Sequence, residues 1–166
     1  GHASIYTGTT PSNHGIVANH WYNKKLEKKI YCAEDSTVFL VDNSGIEKGL
    51  ESTIFSRSPK NVKTTTITDE LKLFTNNRSK VIGVSIKDRA AIFPAGHLSD
   101  AAYWYNGNNG NFITSTYYKD KLPNWLKRFN NLKKADSLLN LVWRPFLPIE
   151  KYIHSGDDNN DFEKKY

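Results

Sequence analysis

The sequence predicts an α/β protein, on three observations. A helix-start signature at residues 66–69 leads into apolar residues near helical spacing. A nearly continuous apolar run follows at 80–86. A polar turn, Lys87-Asp88-Arg89, then separates it from a second apolar run that closes at Pro94-Ala95-Gly96. Helix, strand and polar turn in succession form the unit from which α/β folds are built. At 166 residues the chain suits one domain with enough length to bury a core. Its 13% aromatic content separates it from disordered chains.

Taken in order, residues 1–8 read as a short helix ending at Gly8, with Pro11 in the turn that follows. Residues 15–19 form a short apolar step that delivers Asn19 and His20. Lys24 to Lys29 is basic and reads as solvated. Val38-Phe39-Leu40-Val41 reads as a strand and Asp42-Asn43-Ser44-Gly45 as a turn. Thr66 followed by Asp69 resembles a capping box, with Asp in place of Glu. Ile67, Leu71 and Phe74 then recur at helical spacing until Asn76-Asn77 stops the helix. The run from Lys80 to Ile86 predicts a strand buried on both faces. Residues 101–118 predict a hairpin across an Asn/Gly-rich turn. Leu122 to Asn130 reads as a helix with Pro123 near its first turn, and Ala135 to Trp143 as another. Pro145 and Pro148 end regular structure, and a polar tail runs from Ser155.

The net charge is +6, from 23 Lys plus Arg against 17 Asp plus Glu. The basic residues are scattered and form no aromatic-basic stripe, so no specific nucleic-acid module is expected. No window is long and apolar enough to span a membrane, and no charged-then-apolar leader opens the chain. The single cysteine, Cys32, forms no internal disulfide and supplies no cysteine-based metal site. The five histidines lack metal-ligand spacing. The chain contains no Met and opens at Gly1, which reads as an internal piece of a longer product.

Two places offer chemistry. Lys87 and Arg89 lie just past the strongest predicted strand, where ligands sit in α/β sheets. In an extended chain, alternation puts both cations on one side, which suits a phosphate dianion. Spacing alone favours a solvated charged turn. Asn19 closes its apolar step, and its amide could donate to an anion oxygen; taken alone such a residue is more often a turn or capping residue.

Two segments together decide between these readings. The stretch from Gly1-His2-Ala3-Ser4 to Asn19-His20-Trp21-Tyr22 resembles the segment just after the nucleophile in the alkaline phosphatase superfamily. The nearest likeness is to its type I phosphodiesterase/nucleotide pyrophosphatase-like branch and, within it, to the PafA-type phosphatases. Val84-Ser85-Ile86-Lys87-Asp88-Arg89-Ala90 through His97 resembles the same group's substrate-clamp strand, and residues 142–163 fit its continuation. The resemblance covers essentially the whole chain. It implies part of an α/β sandwich with an inserted cap region holding a β-hairpin and short helices. Residues 1–154 would form the partial domain, with core portion 1–100 and cap 101–154, and 155–166 would be a polar tail.

The resemblance also implies roles. Asn19 matches the asparagine that donates to a phosphoryl oxygen. Lys87 and Arg89 match the Lys-x-Arg pair that contacts the non-transferred oxygens of a monoester. The nucleophile would be a threonine before Gly1, outside this chain. Two zinc ions would act in the complete enzyme, their ligands also lying elsewhere, so the chain alone would be inactive. Substrates would be small-molecule phosphate monoesters, the partner would be the remainder of the parent chain, and the setting would be periplasmic or secreted. A phosphodiesterase of the same superfamily and a non-enzymatic anion- or nucleic-acid-binding module are the alternatives.

Overall fold

The computed structural model describes residues 1–47, 56–139, 141–142 and 144–156. It falls into two compact units, Gly1–Lys134 and Ala135–Tyr166.

The first unit opens with two short helices, α1 (His2–Thr7) and α2 (Pro11–His14), then a hairpin of β1 (His20–Asn23) and β2 (Lys28–Tyr31). A second hairpin, β3 (Leu40–Asp42) and β4 (Gly45–Glu47), precedes α3 (Ile67–Phe74) and β5 (Ile82–Ser85). Helix α4 (Asp88–Ala95), β6 (Ala101–Asn106), β7 (Asn111–Ser115) and α5 (Asn124–Asn131) complete it. The main sheet runs β4-β3-β7-β6-β5. β5 pairs parallel with β6, Ile82 opposite Ala101, and every other pairing is antiparallel. A parallel pair needs a crossover, and α4 provides it by packing on both strands.

Alternation along the strands builds two cores. Leu40, Ala102, Trp104 and Ile113 face one side, with Ala91, Ile92 and Phe93 of α4. Val41, Ala101, Tyr103 and Phe112 face the other, with Leu122 and Leu126. Successive residues of β3, β6 and β7 thus serve opposite layers, as a period of two requires. The expected hairpin at 101–118 is present, and it lies at the centre of the sheet.

The strand expected to be buried on both faces is not β5. That strand is an edge of the sheet, and Ile82, Val84 and Ile86 are exposed. Its other face carries Gly83, against which α4 lies so closely that an added Cβ would stand 2.1 Å from the Ala91 carbonyl oxygen. The apolar run therefore alternates large outward residues with small inward ones. Burial on both faces belongs instead to inner strands of the sheet, β3 and β6.

Helix α3 shows the capping box expected from Thr66 and Asp69, with both reciprocal bonds made. Its orientation differs from the amphipathic expectation. Ile67, Leu71, Leu73 and Phe74 are exposed, whereas Asp69 and Lys72 are buried. The polar side is turned inward because each charge finds partners there. Lys72 Nζ donates to Asp100 Oδ2 at 3.1 Å and to the Ser79 carbonyl at 3.1 Å. Asp69 accepts from Thr66 N, Leu98 N and His97 Nδ1.

Near the start, Gly8 and Gly15 cap α1 and α2 in the left-handed conformation, at φ 65° and 81°. Pro11 begins α2 at its first position, not merely a turn. His14 is fully buried. Ile16 N donates to its Nδ1 at 3.1 Å, so its Nε2 carries the proton and faces Ser4 Oγ at 3.0 Å. Burial lowers the pKa of this ring, keeping it neutral and tying α1 to α2. His14→Ala should strip both bonds and leave a cavity. We expect a loss of about 2 kcal/mol, read by urea unfolding.

The helix expected over 135–143 is seen from Lys134, the last residue of the first unit, to Leu139, and residues 140 and 143 lie outside the described residues. A single 3-10 turn covers Ile149–Lys151 after Pro148, and the Leu147 amide donates to the Tyr152 hydroxyl at 3.1 Å. Most of the expected tail, residues 157–166, is not among the described residues.

Candidate functional site

The carboxyl ends of the parallel strands β5 and β6 open into one cavity of about 830 Å³. Lys87, Asp88 and Arg89 reach it from the end of β5, and Tyr105 and Asn106 from the end of β6. The β1–β2 hairpin closes another side with His20, Lys28, Lys29 and Tyr31. Parallel strands joined by a helix deliver their last residues to the same edge, which is why ligands sit there.

The sequence treats residues 87–89 as extended, with both cations on one side. The structure corrects this. Lys87 is extended and caps α4, while Asp88 and Arg89 already belong to its first turn. Alternation therefore does not bring the two cations together; their shared place at the helix start does. Both line the cavity. Lys87 is exposed and Arg89 half-buried. Asn19 is exposed and is not part of the lining, although its neighbour His20 is. The Asn19 carbonyl accepts from Cys32 N at 2.8 Å, which fixes it beside Tyr31 at the open end of the β1–β2 ladder.

The charges are not evenly matched. Lys28 pairs with Glu34 at 3.0 Å, and Arg57 Nε pairs with Asp88 Oδ2 at 2.8 Å in a half-buried contact. Among the described residues, Lys29, Lys87 and Arg89 have no carboxylate partner. Asp88 stands between two of these cations in sequence but spends its oxygens elsewhere. Oδ1 accepts from the Tyr31 hydroxyl at 2.6 Å and from Arg89 N at 2.7 Å, while Oδ2 takes Arg57. Arg89 Nη1 donates to the Tyr31 hydroxyl at 3.1 Å. That bond raises the arginine pKa further, so its charge is permanent at any working pH. Burial, with Asp88 nearby, pushes the Tyr31 hydroxyl well above its ordinary value, so it stays a neutral donor.

Sequence reasoning missed Tyr31 and Arg57. Neither carries a spacing signal relative to residues 87–89; they arrive from other parts of the chain. The only cue was chemical: an acid between two cations leaves open what neutralises it.

Among the described residues, no group of three His, Cys, Asp or Glu side chains is placed to hold a metal ion. No described helix is long and apolar enough to cross a membrane.

A cavity at the carboxyl edge of parallel strands, with uncompensated cations at a helix start, gives this α/β protein the shape and charge to receive an anion. The sequence profile of the type I phosphodiesterase / nucleotide pyrophosphatase family matches residues 1–158, and the chain belongs to that family. It is 47% identical over 163 residues to the alkaline phosphatase PafA of Elizabethkingia meningoseptica, covering 98% of this chain and 29% of that one. It is 45% identical to the alkaline phosphatase PhoV of Synechococcus elongatus, over 100% of this chain and 29% of that protein. The crystal structure of wild-type PafA superposes with a TM-score of 0.88 at 47% identity, over 98% of this chain and 30% of that one. The mixed α/β architecture and the PafA-type resemblance read from the sequence are thus borne out. The chain spans about 29% of the length of these relatives.

Proposed function

We propose that this chain forms the phosphate-holding part of a phosphomonoester hydrolase of the alkaline phosphatase type. In this reading Lys87 and Arg89 bind the non-transferred oxygens of the phosphoryl group, and the Asn19 amide donates to one of them. The observation that carries it is the free charge at Lys87 and Arg89, with the intervening Asp88 already held by Arg57 and Tyr31. A monoester dianion gains from both cations, whereas a monoanionic diester gains less and must also fit a second ester group. The relatives named as alkaline phosphatases support this substrate class. So does a solved PafA variant with four substitutions. They change a threonine, an asparagine, and a lysine and arginine two positions apart.

The attacking threonine would lie outside this chain. Zinc is expected of the complete enzyme from the family likeness, but the described residues do not form a site that fits it. What this chain supplies is orientation: a forked guanidinium and an ammonium fix the phosphoryl oxygens for a nucleophile brought from elsewhere. A periplasmic or secreted setting belongs to the same reading.

The test uses the full-length protein. Lys87→Ala combined with Arg89→Ala should lower kcat/KM for p-nitrophenyl phosphate by roughly a hundredfold, given two charge-assisted contacts. Methyl p-nitrophenyl phosphate, a diester, should lose only a few-fold. Equal losses on the two substrates would remove the clamp and favour a phosphodiesterase.

A further inference from the structure

We propose that Tyr31 is a positioning residue for Arg89, holding its guanidinium in place and tying it to the β1–β2 hairpin that Asn19 precedes. This rests on the clamp reading above.

The Tyr31 hydroxyl is a relay. It accepts from Arg89 Nη1 at 3.1 Å and donates to Asp88 Oδ1 at 2.6 Å. An arginine side chain carries about 2 kcal/mol of rotamer entropy, so one fixed bond near its end restricts it considerably. This bond uses a single N–H of the fork, leaving the others to meet an anion.

The tyrosine is itself held on several sides. The Arg57 guanidinium lies over its ring, 4.7 Å from the centroid, and the His20 ring packs at 4.9 Å. Arg57 is anchored in turn, since its Nη1 donates to the Ser56 carbonyl and its own carbonyl accepts from Ser115 Oγ of β7. Tyr31 stands opposite His20 in the β1–β2 register, and the amide after it, Cys32 N, bonds the Asn19 carbonyl. One aromatic ring therefore spans two parts of the chain that the proposed clamp needs in fixed relation: residue 19 before β1 and residue 89 in α4. Asp88, occupied by Tyr31 and Arg57, does not draw the Arg89 side chain away.

The experiment measures kcat/KM on the full-length protein for p-nitrophenyl phosphate and methyl p-nitrophenyl phosphate. Tyr31→Phe deletes one oxygen and keeps the ring. It should cost the monoester about five- to tenfold and the diester less than about twofold. In an Arg89→Ala background the same change should cost nothing further, because the group it positions is gone. Arg57→Gln reads the link without altering the ring. It frees Asp88 to pull Arg89, and a monoester-selective loss is again expected. Equal losses on both substrates, no loss, or an undiminished loss in the Arg89→Ala background would overturn the proposal. Arg89→Ala alone separates the two claims. If it is monoester-selective and Tyr31→Phe is not, only the positioning role falls; if it is not selective, the clamp and its support fall together.

Discussion

Asp69→Ala is expected to destabilise the protein by about 3–5 kcal/mol, measured by chemical denaturation, because it removes a buried carboxylate whose two oxygens tie the start of α3 to His97 and Leu98. Oδ2 accepts from Thr66 N at 2.9 Å and lies 3.1 Å from His97 Nδ1, and Oδ1 accepts from Leu98 N at 2.8 Å. The Thr66 amide would be left buried without a partner, and the half-buried His97 ring and the Leu98 amide would lose theirs. The His97 Nε2 faces the Val62 carbonyl at 3.0 Å, which can only accept, so that nitrogen carries a proton. With a carboxylate at the other nitrogen, the ring is held as an imidazolium. The Asp69 bond raises its pKa.

Burial by itself would push the Asp69 carboxyl up. The bonds from His97, Leu98 and Thr66 together outweigh it and hold the group at about 2. The signs follow. Asp69 is depressed, so its contribution is full above about pH 4 and is lost as pH falls toward 2, a change of about 2 kcal/mol. His97 is raised, so its contribution is full below about pH 6.5 and is lost as pH climbs through its elevated value. Stability against pH should show a plateau between these limits. In Asp69→Asn the acid limb should flatten and the His97 ring, followed by NMR, should titrate at lower pH. An unchanged acid limb would show that Asp69 is not the responsible group.

Gly83→Val is expected to cost about 3 kcal/mol and, under the function proposed above, to lower phosphomonoester turnover of the full-length protein as well. The first added carbon would sit 2.1 Å from the Ala91 carbonyl oxygen and 3.0 Å from Ala95 Cβ. The obstacle is backbone, so no rotamer change relieves it, and α4 must move off β5. Lys87 and Arg89 stand at the start of that helix. Fold and the proposed clamp are therefore coupled at a residue outside the cavity lining. A variant that unfolds at lower urea yet keeps full kcat/KM would break the coupling.

Much of this architecture could be read from the residues. The capping box at Thr66, the glycine stop at Gly8 and the hairpin around 106–111 were legible because each depends on neighbours a few positions apart. What could not be read was which side of an element faces inward. Ile67, Leu71 and Phe74 have helical spacing, yet the buried side is that of Asp69 and Lys72. Their partners, His97 and Asp100, come from 28 residues away in each case. In the same way, Val84 and Ile86 promised a doubly buried strand, and only the sheet order shows that such places belong to the inner strands β3 and β6. The site divides likewise. Lys87 and Arg89 were visible as a local pair. Tyr31 and Arg57, which decide what Asp88 does, lie 57 and 31 residues from it.

The close seating of α4 on β5 bears on tolerated changes of length. Dropping or adding one residue within β5 would turn part of the strand over and drive a branched side chain into the helix backbone. It would also rotate the start of α4 by about 100°. The turn at 107–110 is open, and Gly107 has nothing near its missing side chain. Natural or engineered insertions should therefore collect at that tip, while the strand–helix segment keeps a fixed residue count.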